Sequence, residues 1–246
     1  MPTSRGYTAK AKARKLAAAS AAINRARATI LSSRRSTALA PPRTGGFYGV
    51  QSRLGRNELK TIDVAPTQAE ATTTAAITLL NGVATGTDYT ARIGRKIRMK
   101  SLYMRIQITP VDQVTSDTFV RLLIVYDMQA NGTAPAITDV LNTGSTVDHF
   151  NLNNRDRFKI LMDKCIPIGA NVNTATQAYS NGKNVYYIRK YYNLIGKGCS
   201  DVLFNGTGAT VGSIATGSLY FLYFSGVAAG SGAQVTWASR VRFADS

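Results

Sequence analysis

The sequence is poor in the residues that carry most catalysis. It has one histidine, His149, and two cysteines, Cys165 and Cys199. A single histidine argues against histidine-based metal or triad chemistry. The two cysteines form neither a disulfide framework nor a zinc-ligand spacing. There is no Gly-x-Ser-x-Gly, no P-loop and no His-Glu-x-x-His. No apolar run approaches eighteen residues, so no membrane insertion is expected. The start of the chain lacks the apolar stretch of a secretory signal. These absences point to a soluble, reduced, intracellular protein that is not an enzyme and needs no cofactor or metal.

Acidic residues are missing from one region above all. Residues 1–57 contain none, and residues 1–60 set thirteen Lys/Arg against Glu58 alone, a net charge of +12 out of +17 for the whole chain. Twelve charges of one sign exceed what solubility requires and imply a polyanionic partner. The same segment is rich in Ala, Ser, Thr and Arg, and cannot bury enough apolar surface to offset the entropy of ordering. It is expected to be a disordered arm. Residues 8–31 use strong helix formers without Gly or Pro and predict nascent helix. Pro41, Pro42, Gly45, Gly46 and Gly49 mark a hinge. Arm residues Arg5, Lys10, Lys12, Arg14, Lys15, Arg25, Arg27, Arg34, Arg35 and Arg43, with Arg53 and Arg56, are the candidate phosphate contacts. The clusters Lys10–Lys15 and Arg34–Arg35 also suit recognition by nuclear import machinery.

From residue 58 the pattern becomes that of strands. Candidates are Glu58–Ala65, Ala75–Leu80, Arg92–Ile108, Thr118–Asp127, Arg157–Ile168, Lys183–Ile195, Val202–Phe204, Ser218–Phe224 and Gln234–Phe243. Ala136–Leu141 suits one helical turn. In the third candidate the apolar parity shifts between Met99 and Leu102, which predicts a bulge near Lys100–Ser101. Thr118–Asp127 is nearly all apolar, as a strand buried on both faces would be. Roughly eight main strands, long loops at 128–155 and 169–183, and almost no helix predict an all-β fold. The expected form is a single eight-stranded jelly-roll sandwich spanning 58–246.

Three features of this domain bear on function. Arg92–Arg105 carries Arg92, Arg95, Lys96, Arg98, Lys100 and Arg105, six cations without an acid over fourteen residues. That is denser than an ordinary solvated face and suggests a surface turned toward nucleic acid, with Arg95, Lys96, Arg98 and Lys100 as candidate contacts. Tyr186, Tyr187, Tyr191 and Tyr192 interleave with Arg189 and Lys190. They fit either base stacking or core and subunit packing. Gly206, Gly208 and Gly212 have the glycines of a phosphate loop but neither its lysine nor a following helix, and read as a turn. Asp156 and Asp163 flank Arg157, Lys159 and Lys164 and read as members of surface ion pairs rather than an acid/base couple.

The basic arm is followed in order by ELKTID, RIGRKIRMKSLYMRI, TFVRLLIVYDMQANGTAP, NNRDRFKILMDK and YYIRKYYNLI. This succession resembles the capsid proteins of small circular single-stranded DNA viruses that encode a Rep protein. Within those it resembles the group whose coat proteins are like those of satellite tobacco necrosis virus and the geminiviruses. Residues 92–97 and 156–161 carry the likeness best. The resemblance implies a jelly-roll subunit, a homo-oligomeric shell of sixty copies, an inward-facing basic arm, a packaged circular single-stranded genome and residence in the virion. Two other readings stay open: a cellular nucleic-acid-binding β-domain, and the coat protein of a small RNA satellite virus.

Overall fold

The computed structural model describes Ser20 and residues 59–111, 117–169, 185–230 and 232–245. Apart from Ser20, the arm, with the segment expected to be helical and the hinge, and most of the 169–183 loop thus lie outside the described residues. The strands are β1 Lys60–Ala71, β2 Ala76–Leu79, β3 Lys96–Pro110, β4 Thr118–Asp127, β5 Phe158–Ile168, β6 Tyr186–Asn193, β7 Asp201–Phe204, β8 Ile214–Thr216, β9 Ser218–Ser225 and β10 Ala233–Asp245. One helical turn, α1 Ile137–Val140, lies where Ala136–Leu141 predicts it.

The strands form two antiparallel sheets. One runs β1-β10-β3-β7-β8 with β6 also paired to β3, and the other runs β2-β9-β4-β5. Early and late strands alternate within each sheet, β1 beside β10 and β2 beside β9. This interleaving is the expected jelly-roll. The described residues form ten strands rather than eight: the nine candidate segments each supply one, and the tenth, the three-residue β8, is too short to leave an alternation and sits just after the glycine-rich turn.

β3 shows the predicted bulge. Met99 faces Phe243 of β10 while Ser101 faces Arg242, so Lys100 is the extra residue. Its insertion returns Leu102, Met104, Ile106 and Ile108 to the side of Ile97 and Met99, and all six are buried. The bulge also falls where β3 changes partner, from β7 at Lys96–Arg98 to β6 at Ser101–Ile108. β1 runs past Ala65, where the sequence pattern ends. Its register with β10 shifts between Val64 and Thr67, and Pro66, which has no N–H to give a ladder, falls inside that shift.

The main core lies between the sheets. The inner row of β3 meets Val120, Leu122 and Ile124 of β4, Phe221 of β9 and Trp237 of β10. The Phe221 and Trp237 rings pack edge to face at 5.1 Å. A second cluster covers the other side of the four-stranded sheet, where Leu123, Val125, Tyr220, Leu222 and Phe224 pack beneath Val140, Leu141 and Phe158. β4 is therefore buried on both faces, as its composition predicts. Each such large apolar side chain contributes roughly 1.5–3 kcal/mol on burial.

Charged side chains tie the loops to this frame. Arg121 donates to both carboxylate oxygens of Asp163 at 3.0 and 2.8 Å, and to the carbonyls of Thr146 and Asp148. Arg157 grips Asp127 in the same two-pronged way. Asp156 pairs with its neighbour Arg155 at the surface, 3.8 Å away. Asp163 is bound to Arg121, across the β4–β5 hairpin, rather than to Lys159 or Lys164.

Candidate nucleic-acid interface

Alternation along β3 sends Lys96, Arg98, Tyr103, Arg105 and Gln107 to the side of the six-stranded sheet away from the core. Register then assembles a surface from three strands. Tyr103 lies between Tyr191 of β6 and Arg240 of β10. Ser101 lies between Asn193 and Arg242, and Arg105 between Arg189 and Ala238. Alternation also divides the tyrosines of β6. Tyr186 and Tyr192 pack against the core, whereas Tyr187 and Tyr191 are 51% and 65% exposed.

Rings and cations on this face are coupled. The Arg189 guanidinium lies 5.0 Å from the Tyr187 ring centre. That of Arg105 lies 5.4 Å from the Tyr103 ring, with its Nε donating to the Tyr103 hydroxyl at 3.2 Å. Arg240 donates to both oxygens of Asp63 at 2.7 and 2.6 Å. That bidentate hydrogen bonding holds the Asp63 carboxyl below its ordinary value. A cleft of about 280 Å³ opens here, lined by Ser101, Tyr103, Tyr191, Arg240 and Arg242.

The residues expected to bind nucleic acid divide into three groups. Arg5, Lys10, Lys12, Arg14, Lys15, Arg25, Arg27, Arg34, Arg35, Arg43, Arg53 and Arg56 lie outside the described residues. Lys96 and Arg98 stand exposed on the sheet face. Lys100 is half-buried at the bulge, and Arg95 is exposed just before β3, its Nε donating to the Phe204 carbonyl at 3.3 Å. Arg92 departs from the basic run. It is 1% exposed, lies 4.0 Å over the Phe204 ring, and donates to the carbonyls of Val83, Gly94 and Gly206. Burial pushes its pKa down. β3 starts only at Lys96, so Arg92 belongs to the preceding loop, where it ties that loop to the glycine-rich turn.

Arg240 and Arg242 join the face without having been singled out from the sequence. Their shared parity on β10 is legible, but their place beside Tyr103 and Ser101 depends on pairing between strands far apart in the chain. Among the described residues, no three His, Cys, Asp or Glu side chains gather as a metal site would require. Cys165 and Cys199 are free thiols. No helix among those residues is long and apolar enough to cross a membrane.

The interleaved two-sheet sandwich is of the jelly-roll type found in viral capsid proteins. The chain belongs to the satellite tobacco necrosis virus coat protein family, whose model matches residues 54–246. It is 30% identical over 95 residues to the coat protein of Maize white line mosaic Satellite virus, a stretch covering 38% of this chain and 44% of that protein. The chain thus spans less than half the length of that curated relative. Among solved structures it is similar to Desmodium yellow mottle tymovirus, with 20% identity over 77% of this chain and 89% of the other, at a TM-score of 0.34. It is also similar to the 60-mer BFDV capsid protein, with 12% identity over 76% and 92% of the two chains, at a TM-score of 0.31.

Proposed function

We propose that this chain is a structural, non-catalytic capsid subunit. Copies of it close into a small icosahedral shell of sixty, and the basic N-terminal arm packages a single-stranded genome. The observation that carries the reading is charge placement: a net +12 within the first sixty residues, joined to the shell domain of a coat protein family. An evenly basic, acid-free segment suits phosphates rather than base edges, so the arm holds phosphates without reading sequence. Binding is governed by counterion release and weakens with salt by about −0.7 in log–log slope per phosphate on a single strand. Sixty arms bring roughly 700 positive charges against one negative charge per nucleotide, which suits a genome of about one to a few thousand nucleotides.

The finer reading is a circular single-stranded DNA genome, supported by the resemblance of residues 92–97 and 156–161, with shell assembly in the host nucleus directed by the arm. The second reading is the coat protein of a small RNA satellite virus, favoured by the likeness to the Maize white line mosaic Satellite virus protein. Digestion of the packaged nucleic acid with DNase and RNase in parallel separates the two. A fluorescent reporter fused to residues 1–57 tests the nuclear address, and a reporter that stays cytoplasmic refutes it. The arm itself is tested by deleting residues 1–43. The expected result is particles whose absorbance ratio shows little nucleic acid; particles still carrying a full genome overturn the assignment.

A further inference from the structure

We infer that the solvent face of the six-stranded sheet is a second nucleic-acid site, one that engages bases as well as phosphates. In this arrangement a single-stranded base stacks on the Tyr103–Tyr191 pair and its phosphate meets Arg242. The inference rests on the reading that the chain packages single-stranded nucleic acid, and it adds a site on the sheet to the one in the arm.

Tyr103 and Tyr191 are directly opposed across β3 and β6, so their side chains are neighbours on one surface. Both line the same cleft as Arg242, which β10 places beside Ser101 on the same face. Among the described residues Arg242 and Arg189 make no ion pair, while Arg240 is already held by Asp63. Charge therefore remains on this face for an anion. Aromatic rings with adjacent guanidinium groups form a sequence-tolerant platform for bases, since every base offers a π-face.

The same cations argue against a second subunit as occupant. A protein contact would have to desolvate Arg189 and Arg242, and a buried cation without a partner is costly. Nor does packing account for the exposed tyrosines, because the inward rings of β6 already supply the core contacts.

The arm reads phosphates alone, so the test separates bases from phosphates. Fluorescence anisotropy of the full-length chain is measured with labelled oligothymidylate and with an abasic strand of equal length and charge. The chain is expected to bind both, and to prefer the strand with bases by on the order of tenfold. Tyr103→Leu with Tyr191→Leu should erase that preference and leave abasic binding unchanged. Tyr103→Phe with Tyr191→Phe should retain it, which also controls for folding. Equal binding of the two strands by the wild-type chain overturns the sheet-face site and leaves the arm's role standing. A preference that survives the leucine variant overturns it too. So does a leucine variant whose preference is intact but whose particles no longer form, which assigns the face to a subunit contact. Failure to bind either strand refutes packaging itself, and this site with it.

Discussion

Asp127 is fully buried, and its carboxylate accepts both arms of the Arg157 guanidinium at 3.0 and 2.8 Å and the Gln129 N–H at 2.9 Å. Those hydrogen bonds push the pKa of Arg157 up. Arg157→Gln leaves a buried charge without compensation and is expected to cost about 3–5 kcal/mol. Denaturant unfolding measures this, and adding Asp127→Asn should restore part of the loss. A single variant that unfolds like the wild type would show the pair to be dispensable. Such partners are hard to read from sequence. The acid nearest Arg157 along the chain is Asp156, yet the hairpin joins the end of β4 to the start of β5, with Asp127 opposite Phe158, and brings Asp127 within reach. Arg92 was misread for a related reason: its cation looks like its neighbours', but three backbone carbonyls from separate turns converge on it.

Between β4 and β5, the segment around residues 143–149 is organised by one side chain. The Asp148 carboxylate accepts the Thr143 N–H and hydroxyl, the Gly144 N–H at 3.0 Å and the His149 N–H at 2.8 Å. These bonds, led by the Thr143 backbone, hold its pKa below the ordinary 3.8. Since the folded-state value is the lower one, the stabilisation is complete above 3.8 and is lost as pH falls through the folded value. Amide protection at residues 143–149, relative to intrinsic exchange at the same pH, is therefore expected to fall on acidification below 3.8 while that of β4 and β9 is kept. Asp148→Asn should show the low protection already at neutral pH. Protection in this segment that does not change with pH in the wild type would refute the role. Regular elements were more legible than this loop. β4, β9 and β10 follow from unbroken or alternating apolar patterns, and even the β3 bulge shows as a parity shift. The extension of β1 past Pro66 was not legible, because proline normally ends a ladder and only the partner strand reveals that the ladder resumes.

Across the whole molecule, alternation and turn residues indicated a sandwich, while the makeup of its open face waited on register. The face combines β3 with β6 and β10, strands between which the local sequence encodes no pairing. Elsewhere, Ile93, Val147 and Leu152 stand largely exposed. Residues 58–246 alone are expected to form closed shells or shell-like oligomers. Light scattering and electron microscopy across salt and pH check this, and a domain that stays monomeric at high concentration refutes it.

Lys60 opens β1 and is nearly inaccessible to solvent. Its Nζ reaches Asp245 at 3.0 Å and donates to the Ala91 carbonyl at 2.9 Å. Nine further paired positions with β10 follow it. Any tension on the preceding chain thus enters the sandwich at a double anchor. A load along the strand axis is then shared by many rungs in shear instead of being taken one at a time by peeling.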